Sequence, residues 1–243
     1  MKIFLEALLG ILVLLLALPR GRALVRQLVD IFWHDDYILR EACLNRDEEM
    51  ADYRFLLLTF HEVAEARGLT WWLDYGTLLG AWRYQDVLPY DHDADVGYLA
   101  EQRPLLEQCV EEFAQRGIEL SMHYSALFYK GRKMLDVYPW TRREGRLLIR
   151  PEQREGINVA LEAMFDDVPE EHVLPVWQMR FLGEWFPCPN NPERLLRHRY
   201  PTCRIHMRLV IPHRQRCWFC AGFWREAWRV WRDRSGPVLR HAG

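Results

Sequence analysis

Lysine is almost missing from this chain: of its 32 basic residues, only Lys2, Lys130 and Lys133 are lysine, and the rest are arginine. Cysteine is sparse too, at six in 243 residues, which excludes a small domain stapled by a dense disulfide framework. There is no low-complexity segment and no internal repeat, and half of the residues are apolar, so the chain is not disordered. Only one long apolar run occurs, from Ile3 to Leu18, which excludes a polytopic membrane protein. Net charge is nearly absent as well: 34 Asp and Glu against 32 Lys and Arg leave −2. That balance conceals an asymmetry. Residues 199–243 hold ten Arg and two acids, Glu226 and Asp233, a sum of +8, so residues 1–198 carry −10. A near-neutral total therefore does not exclude an anionic partner for the C-terminal end.

The length suits one domain of catalytic size with an appendage at each end. The expected boundaries are 1–35 for a signal-anchor and short stem, 36–202 for the catalytic domain and 203–243 for a basic tail rich in Trp and Arg. The apolar run has sixteen residues. As a helix it rises about 24 Å, short of a hydrocarbon core of about 30 Å. The expectation is an uncleaved, single-pass membrane-anchor helix in a thin early secretory membrane, in the ER or Golgi. A cleaved signal peptide and a buried helix are the alternatives. Arg20, Arg22 and Arg26 after the run, against Lys2 before it, leave the orientation open.

In the tail, Trp224, Trp228 and Trp231 share one helical face beside Arg225, Arg229 and Arg232. Such a stripe packs on the core or meets an anionic surface. Cys203-x-x-His206 followed by Cys217-x-x-Cys220 has the spacing of a structural zinc site, and equally of ordinary surface and core side chains.

The body of the chain alternates elements without a regular strand-helix-strand repeat, which predicts an α+β fold. Asp47, with Glu48 and Glu49 behind it, starts a helix whose apolar stripe runs from Met50 to Ala64, and Gly68 ends it. Trp71 to Tyr75 reads as a strand, Gly76-Thr77 opens a short helix, and Asp93 to Leu99 is a second strand. Pro104 to Arg116 is a helix stopped by Gly117. His123–Tyr129 and Met134–Tyr138 flank the turn Lys130-Gly131-Arg132-Lys133 as a hairpin.

The segment Asp91-His92-Asp93-Ala94-Asp95 carries the chemistry. If extended, it puts three carboxylates on one face, where they repel each other unless a cation or proton compensates. A hard divalent ion with oxygen ligands, Mg2+ or Mn2+, is the economical partner. A calcium loop of EF-hand type fits poorly, because Val96 stands at its sixth position and Gln102 at its twelfth. A solvated acidic loop fits poorly too, because Ala94, Val96, Tyr98 and Leu99 read as half-buried. A glycine turn at a helix start, here Gly76-Thr77, lets backbone amides approach a phosphate. Asp136, isolated on a strand between Leu135 and Val137, supplies a third acid. Two carboxylates holding metal, with a third completing the site, is the logic of metal-assisted phosphoryl transfer. Lys130, Arg132 and Lys133, just ahead of Asp136, are candidates for binding a diphosphate, or a solvated turn.

Two blocks resemble the LicD family, which includes bacterial phosphocholine transferases and the fukutin and fukutin-related ribitol-phosphate transferases. The first is Leu73-Asp74-Tyr75-Gly76-Thr77-Leu78-Leu79-Gly80-Ala81-Trp82-Arg83, followed by Leu88-Pro89-Tyr90-Asp91-His92-Asp93-Ala94-Asp95-Val96-Gly97. The second is the Pro-rich turn from Phe186 to Pro192 with the Leu-containing segment up to Tyr200, where Pro201 replaces the family's usual Gly. The resemblance covers about residues 47–202. It implies a nucleotidyltransferase-like mixed sheet with flanking helices, a CDP-linked donor and a glycan hydroxyl as acceptor. It further implies that Asp93 and Asp95 bind metal, that Asp136 is the third acid and Asp91 a helper. By the same carry-over Gly76 and Thr77 form the phosphate turn and Arg83 contacts phosphate. The competing reading is an inactive relative that binds glycan or nucleotide. Nucleic-acid binding is not expected, since no reader motif accompanies the basic tail.

Overall fold

The computed structural model describes residues 45–89, 91–149, 167–200 and 237–241. Helix α1, Asp47–Ala66, opens with the acids Asp47, Glu48 and Glu49 in its first turn, where they oppose the helix dipole. Glu49 reaches back to accept the Arg46 backbone N–H at 3.1 Å. Its buried stripe, Met50, Tyr53, Leu57, Phe60 and Val63 among others, recurs at three- and four-residue spacing and faces a sheet.

That sheet has seven strands: β1 Trp71–Leu73, β2 Ala94–Leu99, β3 Ile118–Ser121, β4 Ala126–Tyr129, β5 Arg132–Arg143, β6 Arg146–Ile149 and β7 Val168–Pro169. The order is β1-β2-β5-β4-β3, with β6 on the far half of β5 and β7 on β6. Only β2 and β5 run parallel; every other pair is antiparallel. This is the expected mixed α+β sheet with flanking helices. β2 is central, and all six of its residues are buried. A smaller sheet, β8 Trp177–Phe181, β9 Glu184–Cys188 and β10 Leu239–His241, has the order β10-β8-β9. The two sheets and α1 meet at an aromatic junction. Phe60 lies 5.0 Å from Trp71, Trp71 lies 6.0 Å from Phe186, and Phe186 lies 5.1 Å from Phe181. Each buried side chain of this size contributes about 1.5–3 kcal/mol from area alone.

Helix α2, Tyr75–Tyr84, follows β1, and α5, Pro192–Arg199, follows β9. Between them the expected helix over 104–116 is two shorter ones, α3 Arg103–Glu107 and α4 Val110–Ala114. The break has a local cause. The Cys109 N–H bonds to the Leu106 carbonyl three residues back, and its thiol donates to Leu105 O at 3.3 Å. The hairpin is tighter than expected. Its loop is Lys130-Gly131 alone, with φ of 51° and 72°, so it is the primed two-residue turn that matches strand twist. Arg132 and Lys133 thus belong to β5.

The expectation of a single-pass membrane-anchored protein is corrected: among the described residues, no helix is long and apolar enough to cross a membrane. α1 has the length, at 20 residues, but Asp52, Arg54, Glu62 and Glu65 along it forbid burial in hydrocarbon. The run from Ile3 to Leu18, the Trp and Arg stripe of the tail, and the zinc candidates Cys203, His206, Cys217 and Cys220 lie outside the described residues.

Candidate active site

The site forms where β1 passes into α2, beside the start of β2. Asp74 ends the extended segment and caps α2: its Oδ1 accepts the Tyr75 N–H at 3.0 Å. Its own N–H donates to Asp95 O at 3.1 Å, so the capping residue is tied to β2. Tyr75 turns the chain with φ of 39°, a strained value for a residue with a large side chain. The turn lets the Gly76 N–H donate to Asp95 Oδ2 at 3.1 Å, while Thr77 Oγ1 accepts the Asp95 N–H at 2.7 Å. The Gly-Thr pair therefore holds Asp95 by both its carboxylate and its backbone N–H.

Asp91, Asp93 and Asp95 each offer a carboxylate oxygen within 4.8 Å of the others. The extended alternation accounts for only part of this, because β2 begins at Ala94 and Asp91 lies in the loop before it. α1 holds that loop. Tyr53 Oη donates to His92 O at 2.5 Å, and the Asn45 side-chain amide donates to Asp91 O. Asp136 joins from β5, since the parallel ladder sets it opposite Asp95. Asp91, Asp95 and Asp136 are buried. Burial first, then the charges of Asp93, Asp91, Asp136 and Asp74, pushes the Asp95 carboxyl well above the ordinary aspartate range. Burial, then Asp95 and Asp136, likewise holds the Tyr138 phenol well above its usual range, and its hydroxyl lies 3.4 Å from Asp136 Oδ2.

Of the residues expected at the site, the fold brings together Asp91, Asp93, Asp95, Asp136, Gly76, Thr77 and Lys133. Lys133 Nζ is 2.9 Å from both Asp136 oxygens. Lys130 and Arg132 turn instead to the first turns of α1: Lys130 Nζ is 2.8 Å from Asp52 Oδ1 and 3.6 Å from Glu48 Oε1, and Arg132 is 3.1 Å from Glu49 Oε1. Arg83 is buried in the last turn of α2, away from the Gly-Thr end.

Two residues at the site carried no expectation. Asp74 pairs with Arg199, the last residue of α5, at 2.8 Å, and both side chains are completely buried. Trp140 Nε1 donates to the other Asp74 oxygen at 3.1 Å, and the Arg199 guanidinium lies 3.7 Å from the Tyr75 ring centroid and 5.0 Å from that of Trp140. A helix-capping signal ahead of Gly76 was available for Asp74. Nothing local marks Arg199.

Gly76 is required by packing. A β-carbon there would stand 1.9 Å from Asp91 Oδ2 and 3.4 Å from Asp95 Oδ2. Gly76→Ala is expected to cost about 1–3 kcal/mol, the usual range for overpacking. Urea denaturation checks this. An unchanged midpoint would show that the Asp91 carboxylate turns aside without cost.

The model of the family described as "LicD/FKTN/FKRP, nucleotidyltransferase domain" matches residues 68–191. An uncharacterized protein of Rickettsia prowazekii (strain Madrid E) is 27% identical over 184 residues, which are 69% of this chain and 64% of that one. The human ribitol 5-phosphate transferase FKRP is 28% identical over 150 residues, covering 55% of this chain and 28% of that protein. This chain thus spans under two thirds of the length of either relative. The crystal structure of ANT(2")-Ia in complex with adenylyl-2"-tobramycin is a looser likeness, with a TM-score of 0.39 and 19% identity over 56% of this chain and 68% of that one. The family match takes in just over half of the 243 residues, including the Gly-Thr turn, the three clustered aspartates and Asp136, and on that match the chain belongs to the LicD family.

Proposed function

We propose that this protein is a divalent-cation-dependent transferase that moves a phospho-alcohol, of the phosphocholine or ribitol phosphate class, from a CDP-linked donor to a glycan hydroxyl. The observation that carries the reading is the trio Asp91, Asp93 and Asp95, gathered within 4.8 Å in a LicD domain. An all-oxygen donor set with crowded negative charge, two of its members buried, fits Mg2+ or Mn2+. Such a cation would supply charge neutralisation at the donor's phosphates. Asp93 and Asp95 are its main ligands in this reading, with Asp91 as helper. Asp136 completes the site or accepts a hydrogen bond from the attacking hydroxyl. Gly76 and Thr77 open α2, whose N-terminus favours anions. Lys133 reaches the site through its ion pair with Asp136, whereas Lys130 and Arg132 pair with acids of α1. In the reaction the acceptor oxygen forms the new P–O bond and the bond to CMP breaks. CMP leaves with the bonding electrons, and the hydroxyl proton passes to a carboxylate or to water.

The test is a panel of CDP-alcohols and other nucleotide-linked donors offered with glycan acceptors, with Mg2+, with Mn2+ and with chelator. Nucleotide release from a CDP-alcohol that needs both cation and acceptor is the expected result. No release from any donor overturns the reading and leaves a glycan- or nucleotide-binding relative.

A further inference from the structure

Lys133 is one of only three lysines in a chain that otherwise uses arginine. A lysine ammonium is a compact point charge on a flexible stem, where arginine is a rigid fork. Its position depends on a defect in the sheet. β4 and β5 pair as Leu127 with Leu135 and Phe128 with Lys133, so Met134 is an extra residue bulged out of β5. In an unbroken strand, Lys133 and Asp136 would face opposite sides, being three residues apart. The bulge reverses the parity. Phe128 and Ala126 share a face of β4, so their partners Lys133 and Asp136 share a face of β5, the face that Asp95 joins across the parallel ladder. Met134 is buried, which locks the bulge in place. The ammonium then bridges both Asp136 oxygens at 2.9 Å, from a side chain that is 47% exposed.

Resting on the reading above, we propose that Lys133 is a place-holder cation. It occupies Asp136 while the site lacks donor, so that Asp136 stays out of the carboxylate set formed by Asp91, Asp93 and Asp95. When a donor's phosphate arrives, Lys133 exchanges its carboxylate partner for the phosphate, and Asp136 becomes available to the cation or the hydroxyl. With its ammonium half-exposed, although Asp136 is buried, the ion pair is open to this exchange. Lys133 thus makes donor binding and full cation binding depend on each other.

The exchange predicts effects of opposite sign, which a structural salt bridge or a plain phosphate contact does not. Without donor, Lys133→Gln is expected to bind Mn2+ roughly two- to tenfold more tightly than wild type, because a competing charge has gone. Its KM for the CDP-linked donor is expected to rise by a similar factor. Lys133→Arg, which keeps the charge, should retain the wild-type Mn2+ affinity. Mn2+ binding is read by titration calorimetry or by loss of the free-ion paramagnetic signal, with thermal melting of each variant as the folding control. Unchanged or weaker Mn2+ binding in folded Lys133→Gln overturns the proposal while leaving the metal-dependent reading intact. Tighter binding in Lys133→Arg as well as in Lys133→Gln also overturns it, since charge would not be the cause. No Mn2+ binding by the wild type sinks the metal-dependent reading and this proposal with it.

Discussion

Asp95→Asn is expected to abolish nucleotide release and, in the absence of metal, to make the protein more stable. The first half follows from the proposed chemistry. Losing a ligand to a cation that contributes several kcal/mol to transfer lowers the rate by at least about 100-fold. The second half follows from linkage. Burial, and then the carboxylates of Asp93, Asp91, Asp136 and Asp74, raises the folded-state pKa of Asp95 above its unfolded value. Among the described residues, Lys133 pairs with Asp136 and Arg199 with Asp74, and neither ion pair is made to Asp95. The folded state therefore holds the Asp95 proton more tightly than the unfolded state does. Stability is fully present below the ordinary aspartate value of about 3.9 and falls as pH climbs from there towards the raised value.

Asparagine has no charge to desolvate, and its side-chain oxygen still accepts the Gly76 N–H. The metal-free variant should therefore melt above wild type at neutral pH and show a flatter dependence on pH. Added Mg2+ or Mn2+ should raise the wild-type melting temperature and leave the variant unmoved. A cation at a hundred times its dissociation constant adds about 2.7 kcal/mol. A variant that melts below wild type at neutral pH without metal would overturn the electrostatic account. Retained metal-dependent turnover would overturn the catalytic one.

Arg199→Met is expected to destabilise the protein by about 3–5 kcal/mol, because it leaves the Asp74 carboxylate buried and unpaired. For a chain of this size that is roughly 6–20 °C in melting temperature. The pair is wholly buried, and its loss reaches the site directly. Asp74 caps α2, and α2 delivers the Gly76 N–H to Asp95. Because Asp74→Asn removes the stranded charge, the double substitution should recover a good part of the loss. Denaturant unfolding of the two single variants and the double variant measures this coupling. A loss below about 1 kcal/mol for Arg199→Met would mean that water reaches Asp74, and the capping link would then lose its support.

The two predictions differ in how much of their basis was legible before the fold. Asp93 and Asp95 could be read locally, because an Asp-x-Asp spacing at the start of an apolar strand keeps the two carboxylates close, although Asp93 lies one residue ahead of β2. Gly76-Thr77 was legible as a glycine turn opening a short helix, a weak signal until joined to the aspartates that follow it. α1 and the mixed α+β character followed from apolar periodicity and from the lack of regular strand-helix alternation. These features depend on neighbours within a few residues, which is the range over which a backbone's periodicity acts.

Other features were decided only by tertiary structure. Arg199 meets Asp74 across 125 positions of chain, and no local pattern encodes that meeting. The parallel register of β2 and β5 sets Asp136 against Asp95 rather than one residue off, which would turn it to the other face. The three hairpin cations divide only in the fold, because the turn is two residues long and α1 offers Lys130 and Arg132 acids while Lys133 turns to Asp136. The bulge at Met134 depends on how β4 aligns against β5, and it alone brings Lys133 round to Asp136. The sequence alone determined which residues are acidic, apolar or able to turn, and which near neighbours share a face. The pairing of distant strands and helices decided which of those charges came to share one buried space.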